Sequence, residues 1–234
     1  NSTFPACYTT QAEVKKGNRR SESLLLTAER FSALAVASGF RDYYPERDLD
    51  EAWKTVLRNQ FHDILDGSSI GPVNDEVRDF YAAAQDRAQR ALDFSLETIA
   101  SAIDTGGEGW PLVVFNPLFW ERTEPVQAEI VIPPSAESSQ LWPGTVRVTD
   151  AAGRDVPVQV LDKRAEGHAM VFQVLFIADA VPSFGYKTFR LLPAPEAPGS
   201  PSVLQAGVDG LENEFLRAAI DPATGWLKSL TDKR

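Results

Sequence analysis

The stretch Asn59-Gln60-Phe61-His62-Asp63-Ile64-Leu65-Asp66-Gly67-Ser68-Ser69 separates two runs of helical periodicity. Before it, Ala52, Trp53, Val56 and Leu57 fall at helical spacing within Leu49 to Asn59, and Asp48 has the chemistry of an N-cap. After it, Gly67-Ser68-Ser69 supplies breaker and cap residues, and a long periodic run begins near Val73. His62 and Asp63 are therefore expected at a helix C-terminus, between two helices. Adjacent residues leave a helix in different directions, so one of the pair is expected to face a site and the other a neighbour. Neutral imidazole is a common zinc ligand, and a carboxylate beside it suits the same metal. Taken alone, one His beside one Asp is more often a surface or capping pair than a ligand pair. Zinc needs three or four ligands, and no second His or Cys stands nearby.

Working outward, Leu24, Leu25, Ala28, Phe31, Leu34 and Ala35 follow the i, i+3, i+4 pattern of a buried helix face over Ser21 to about Ser38. Gly39 suits the end of that helix, and Arg41 to Pro45 reads as a loop. The run from about Val73 to Ile103 keeps one apolar stripe through Val77, Phe80, Tyr81, Ala84, Ala88, Ala91, Leu92, Leu96, Ile99 and Ile103. At ~1.5 Å per residue it spans roughly 45 Å. Three such helices with short links bury their stripes against one another as a bundle. Residues 1–20 show no clear periodicity and read as a polar lead-in.

Proline divides the chain. Three of its 16 Pro lie before residue 111, and the rest follow. Helix interiors exclude Pro, whereas turns and strand edges accept it. The boundary falls at the Gly-rich link Asp104 to Gly109. Beyond it, Leu112 to Phe115 reads as a buried strand ended by Asn116-Pro117. Val126, Ala128, Ile130 and Ile132 alternate until Pro133-Pro134. Val146 to Thr149 and Val156 to Val160 flank a hairpin connection, and Val171 to Ile177 and Lys187 to Leu192 continue the pattern. Residues 193–210 read as a spacer, and Asp221 to Gly225 as a turn between the last two strands. The fold class is multidomain α and β, a three-helix bundle followed by an antiparallel β-sandwich-like domain, with 1–20 as lead-in, 21–105 as bundle and 106–234 as β domain.

The chain is 43% hydrophobic and 24% charged, ordinary for a globular protein. Its net charge of −10 argues against nucleic acid and anionic membrane as partners. The one basic cluster, Lys15 to Arg20, reads as a helix flank or as partners for carboxylates. No apolar run reaches ~18 residues, and Asn1 to Pro5 lacks the pattern of a signal peptide. With no Met at position 1, the sequence is expected to begin inside a longer chain, and the strand near its end suggests the same there. Cys7, the single cysteine, fits a reducing compartment and hence the cytoplasm. His168, in Glu166-Gly167-His168, reads as a hairpin-turn residue.

The string Trp53-Lys54-x-x-Leu57-x-Asn59-Gln60-Phe61-His62-Asp63-Ile64-Leu65-x-Gly67-Ser68-Ser69-Ile70 closely resembles a signature of the α-mannosidases of glycoside hydrolase family 38. Asp66 departs from that pattern, where the family usually has Pro. Tyr8-Thr9-Thr10-Gln11 with Lys15, Lys16, Asn18 and Arg19 resembles the family's passage out of its catalytic barrel. Val114-Phe115-Asn116-Pro117 with Trp120, then Phe184-Gly185-Tyr186-Lys187, then Leu211-Glu212-Asn213-Glu214, are similar to successive landmarks of its C-terminal part.

The resemblance implies a zinc-dependent retaining α-mannosidase acting on terminal α-mannosides. His62 would be one Zn2+ ligand, and Asp63 would accept a hydrogen bond from a mannose hydroxyl. It implies that a barrel absent from this sequence supplies a His-x-Asp ligand pair and the nucleophilic Asp. No catalytic residue is then expected in this chain, which alone should neither hydrolyse mannosides nor hold zinc tightly. A homo-oligomer is compatible with the sequence. The competing reading is a non-catalytic accessory module that binds a protein or glycan; apolar surface on the first helix or the sandwich edge would favour the mannosidase reading instead. A third reading, a complete hydrolase built on Asp63, Asp66 and Glu76, competes with their use as caps or helix-dipole partners.

Overall fold

The computed structural model describes residues 6–7, 9–132, 145–194 and 204–234. Tyr8, the Pro133-Pro134 stop and residues 195–203 of the expected spacer lie outside them. The chain forms two compact units. The first holds residues 1–107, 113–123 and 179–188, and the second holds 108–112, 124–178 and 189–234.

In the first unit, α1 (Ala12–Ala37) and α4 (Gly71–Ser101) make the main helix pair, and α2 (Glu46–Asn59) packs on α4. A fourth helix, α3 (His62–Leu65), is a single turn. The core joins Leu25, Ala28, Phe31 and Ala35 of α1, Leu49, Ala52 and Val56 of α2, and Val77, Tyr81, Ala84 and Ala88 of α4. Leu57, expected on the buried stripe, is instead exposed, because Val56 and Asn59 take the inward positions of the last α2 turn.

Two helix starts differ from the sequence reading. α1 begins at Ala12, nine residues ahead of Ser21, so residues 12–20 are helix rather than irregular lead-in. Its early turns bury Val14, Asn18 and Ser21, a helical spacing carried mostly by small and polar residues and so invisible to an apolar count. α2 begins at Glu46 straight after Pro45, and Asp48 sits in the first turn, paired with Arg87 at 3.2 Å rather than capping.

Small residues bring α1 and α4 close. A Cβ at Gly17 would stand 2.7 Å from the Tyr81 ring. Further along the seam, the buried Ser32 and Ser95 hydroxyls lie 2.9 Å apart. Gln85 of α4 donates to the Gly17 carbonyl and to Ser21 Oγ, satisfying polar groups inside the seam. Burial, aided by the charge of Glu22, pushes the Tyr81 phenol up to about 12.

The same unit takes in chain from the β region. Phe31 meets Phe115 edge-on at 5.5 Å and stacks with Phe184 at 5.9 Å. Arg30 donates to the Pro117 carbonyl and lies over the Phe119 ring. The buried Asn116 amide donates to the carbonyls of Trp120, Val181 and Pro182 and accepts from the Leu118 N–H. Phe184 N–H in turn donates to the Leu118 carbonyl at 2.7 Å.

Among the described residues the β strands fall in three sheets, and the pairs β3–β4, β3–β7, β5–β6, β8–β9, β9–β10 and β10–β11 are antiparallel. They are β1 (Trp110–Phe115), β2 (Arg122–Ile132), β3 (Thr145–Asp150), β4 (Asp155–Val156), β5 (Val158–Glu166), β6 (Ala169–Val181), β7 (Tyr186–Ala194), β8 (Gln205–Gly207), β9 (Gly210–Glu212), β10 (Leu216–Ile220) and β11 (Leu227–Asp232). The sheet orders are β1-β7-β3-β4, β2-β6-β5 and β11-β10-β9-β8. In the second unit, Val146, Val148, Val174, Phe176, Phe189 and Leu191 are buried, with Val148 opposite Leu191 and the Phe176 and Phe189 rings 5.1 Å apart. This sandwich-like part keeps the expected alternation. β8 places strand where the spacer was expected, because Gln205 to Gly207 pairs with β9 through backbone bonds that composition does not reveal. Gly167-His168 forms the two-residue turn between β5 and β6, with Gly167 at φ 58°.

Gly17→Ala tests the helix seam. The added methyl would crowd the buried Tyr81 ring and force a shift, which costs about 1–3 kcal/mol, against a helix-propensity gain of about 1 kcal/mol. Urea unfolding should show a lower midpoint for the variant; a raised midpoint would mean the seam is looser than described.

Candidate functional site

The turn that carries His62 and Asp63 is held from both sides. At the end of α2 the Gln60 side-chain amide donates to Asn18 Oδ1 at 3.0 Å and Glu22 Oε1 at 2.9 Å, tying the chain's exit to α1. Phe61 is extended (φ −53°, ψ 140°) and its carbonyl accepts the N–H groups of Ile64 and Leu65, which closes the single turn of α3. Beyond it, Asp66 Oδ1 accepts the Ser68 N–H and hydroxyl, each at 2.9 Å, forming an Asx turn. Gly67 sits at φ +86° with its N–H on the Ile64 carbonyl. A Cβ there would lie 2.7 Å from Thr10 Cγ2, so the loop lies flush against the start of α1.

His62 and Asp63 do not sit at the end of α2, as the sequence suggested; they open a one-turn helix of their own. Nor do they divide between a site and a neighbour. His62 leaves 79% of its side chain exposed and Asp63 61%, and Nε2 of His62 lies 3.5 Å from Asp63 Oδ2. A single surface turn has no buried face, so both side chains point to solvent. The His62 ring lies 4.2 Å from the Phe61 ring, and neighbouring Phe61 and Ile70 are also exposed.

A cleft of ≈ 820 Å³ opens beside His62, lined by Cys7, Lys15, Asn18, Gln60, Leu65 and Asp66 among others. Of its three cations, two face carboxylates and one a backbone carbonyl. Arg19 pairs with Glu22 at 2.9 Å, Lys16 lies 3.8 Å from Glu13, and Lys15 donates to the Thr10 carbonyl at 2.6 Å. The Ser68 N–H holds the Asp66 carboxyl below its usual value of 3.8, helped by the Ser68 hydroxyl and the charges of Lys15 and His62 and opposed by partial desolvation.

Zinc takes three or four nitrogen, sulfur or oxygen donors from a protein. An open imidazole with a carboxylate 3.5 Å away offers one suitable nitrogen and one oxygen. Among the described residues no three His, Cys, Asp or Glu side chains gather as a group able to hold a metal ion. The turn therefore fits as a contributor to a metal site and does not make one alone. Glu76 lies on an exposed face of α4, His168 in its hairpin turn, and Cys7 on the cleft wall as a free thiol. The sequence reading named Asn18 only within the resemblance of the lead-in, without its role as acceptor for Gln60, and missed the contact of Gly67 with Thr10 and Lys15. Asn18 hid in a stretch without apolar periodicity, and the contact of Gly67 is between segments that sequence spacing does not relate.

Comparison with known proteins places these features in a family. Residues 2–99 match the model of the alpha mannosidase middle domain. The chain is 30% identical to mouse alpha-mannosidase 2C1 over 233 residues, covering 95% of this chain and 18% of that protein, and 29% identical to the human counterpart with the same coverage. It spans less than a fifth of the length of these curated relatives. A solved protein of glycosyl hydrolase family 38 from Enterococcus faecalis superposes with a TM-score of 0.76 at 25% identity, over 94% of this chain and 29% of its own. No helix is long and apolar enough to cross a membrane among the described residues.

The Asx turn has a titration signature. Because Asp66 has a lowered pKa in the folded state, its ionised carboxylate stabilises the loop above pH 3.8, and that contribution is lost as pH falls through the lowered value. Side-chain carboxyl NMR should give a midpoint for Asp66 below 3.8, and Ser68→Ala should move it upward. A midpoint unchanged in Ser68→Ala would show that the hydroxyl takes no part and leave the backbone N–H as the sole hydrogen-bonding cause.

Proposed function

The chain belongs to the α-mannosidases of glycoside hydrolase family 38 through its middle domain, and from that membership we propose that it supplies part of the active site of a zinc-dependent retaining α-mannosidase. The observation that carries the proposal is the His62–Asp63 turn, exposed at the bundle surface within the matched region and fastened to α1 through Gln60 and Gly67. An imidazole so open serves a partner from outside the bundle rather than the bundle itself. The relatives' greater length supports ligands and catalytic carboxylates contributed by other parts of a longer polypeptide.

In a retaining reaction one carboxylate attacks the anomeric carbon while a second carboxyl protonates the leaving oxygen, through an oxocarbenium-like transition state. Neither role falls to this chain. Its residues bind and orient: His62 would offer a ring nitrogen to the metal, and Asp63 would accept a hydrogen bond from a mannose hydroxyl. When bound, zinc supplies a Lewis acid toward sugar oxygens. Asp63 anchors the sugar most strongly as a carboxylate, since hydrogen bonds to a charged acceptor are about twice as strong as neutral ones.

Exposed apolar surface supports the same reading, though not on α1, where Leu26 is the only large apolar side chain in the exposed class. It lies on the β8–β11 sheet, where Trp226 is 77% exposed and every residue of β11 is open. Such an edge invites further polypeptide to cover it. Cys7 as a free thiol fits a reducing compartment, and we place the protein in the cytoplasm on that ground.

In the full-length polypeptide that carries this chain, His62→Ala should cut aryl α-mannoside hydrolysis by more than about 100-fold, the scale of losing a metal ligand. Asp63→Asn should lower kcat/KM by roughly 10- to 100-fold, the scale of a charged hydrogen bond. Unchanged hydrolysis in His62→Ala would remove this turn from the active site.

A further inference from the structure

A four-residue helix cannot hold its own shape, since isolated helices shorter than about 12 residues are marginal. The question is what fixes the direction in which His62 and Asp63 leave α3. Within the turn, the Phe61 carbonyl takes the N–H groups of Ile64 and Leu65, and the Ile64 carbonyl takes that of Gly67. In a longer helix the Asp63 carbonyl would receive the Gly67 N–H; here that donor is spent one residue on, so the carbonyl needs a partner from elsewhere.

Two hydroxyls reach it, Ser69 Oγ at 2.5 Å and Ser68 Oγ at 3.3 Å. A serine hydroxyl has one proton to give. Ser68 Oγ also lies 2.9 Å from the Asp66 carboxylate, the shorter and charged contact, so its proton goes there. Ser69 is left as the donor to the Asp63 carbonyl. Ser69 is itself anchored, because the side-chain amide of Asn74, a buried residue of α4, donates to its carbonyl at 3.1 Å. A rigid connection thus runs from the α4 interior through Ser69 to the backbone of Asp63.

We propose that Ser69 is a positioning residue, its hydroxyl fixing the backbone of the His62–Asp63 turn so that both side chains are presented in one orientation. The functional consequence rests on the mannosidase reading; the structural one does not. Losing a hydrogen bond of this kind corresponds to roughly a five- to tenfold effect.

The test uses the full-length polypeptide with four variants, His62→Ala, Ser69→Ala, Ser69→Thr and Ser68→Ala, assayed on an aryl α-mannoside and by hydrogen exchange of the segment 61–70. Ser69→Ala is expected to lower kcat about five- to tenfold and to speed exchange in that segment, with an unchanged melting temperature. Ser69→Thr, which keeps the hydroxyl, should restore both readouts, and Ser68→Ala should affect kcat less than Ser69→Ala. If His62→Ala is inactive while Ser69→Ala works and exchanges like wild type, the positioning role is wrong and the mannosidase reading stands. Equal losses in Ser69→Thr and Ser69→Ala would also overturn it, since the hydroxyl would not be the agent. If His62→Ala stays active, the turn has no place in the active site and the proposed role of His62 fails, and the exchange data alone then decide whether Ser69 holds the turn.

Discussion

The close contact of α1 with α4 at Gly17 and Tyr81 is the constraint on which the presentation of the site depends. Only a residue without a side chain lets the Tyr81 ring lie against the α1 backbone, and that approach brings the Tyr81 hydroxyl to 3.5 Å from Asn18 Oδ1. The same Asn18 oxygen accepts from Gln60 at the end of α2. One buried asparagine therefore connects the helix seam to the residue that launches the His62 turn. Widening the seam would displace Asn18, slacken Gln60, and let the turn drift from its cleft. Stability and function meet at that oxygen: packing energy from the long helices is what allows a short, exposed turn to be well placed.

The β landmarks have a comparable logic. Phe115-Asn116-Pro117 and Phe184-Gly185 are nearly 70 residues apart in sequence, yet they close on each other. Asn116 N–H donates to the Gly185 carbonyl, while Phe115 and Phe184 both meet Phe31 of α1. The Asn116 side chain donates to the carbonyls of Trp120, Val181 and Pro182, at the last residue of β6 and in the chain outside regular strand. An Asn-Pro pair at a strand end looks like turn punctuation in the sequence. In the folded protein it is the hub that fastens two loops to each other.

How much was legible follows from which residues carried each feature. The α4 stripe and the later turns of α1 were readable because apolar side chains recur there at helical spacing, although Phe80, read as part of the stripe, is exposed. The first turns of α1 were not, since Gly17, Asn18 and Ser21 serve close approach and polar bonding, which leave no apolar trace. Strand alternation around Ile130, Val148 and Phe189 was readable for the same reason as the stripes. β8 escaped notice because its three residues are exposed and held by backbone pairing alone. At the site, the His62–Asp63 pair stood out by motif, whereas its one-turn helix, its double exposure and the Asn74–Ser69–Asp63 connection depend on contacts between separate elements.

The central claim is that the imidazole of His62 completes a metal site whose other ligands lie elsewhere in a longer polypeptide. Metal analysis of that purified polypeptide tests it most directly. The account predicts close to one zinc per chain in the wild type and a clear depletion in His62→Ala after dialysis against a mild chelator, with the fold intact by circular dichroism. Full retention of zinc by His62→Ala, or a wild-type protein that is active without any metal, would contradict it.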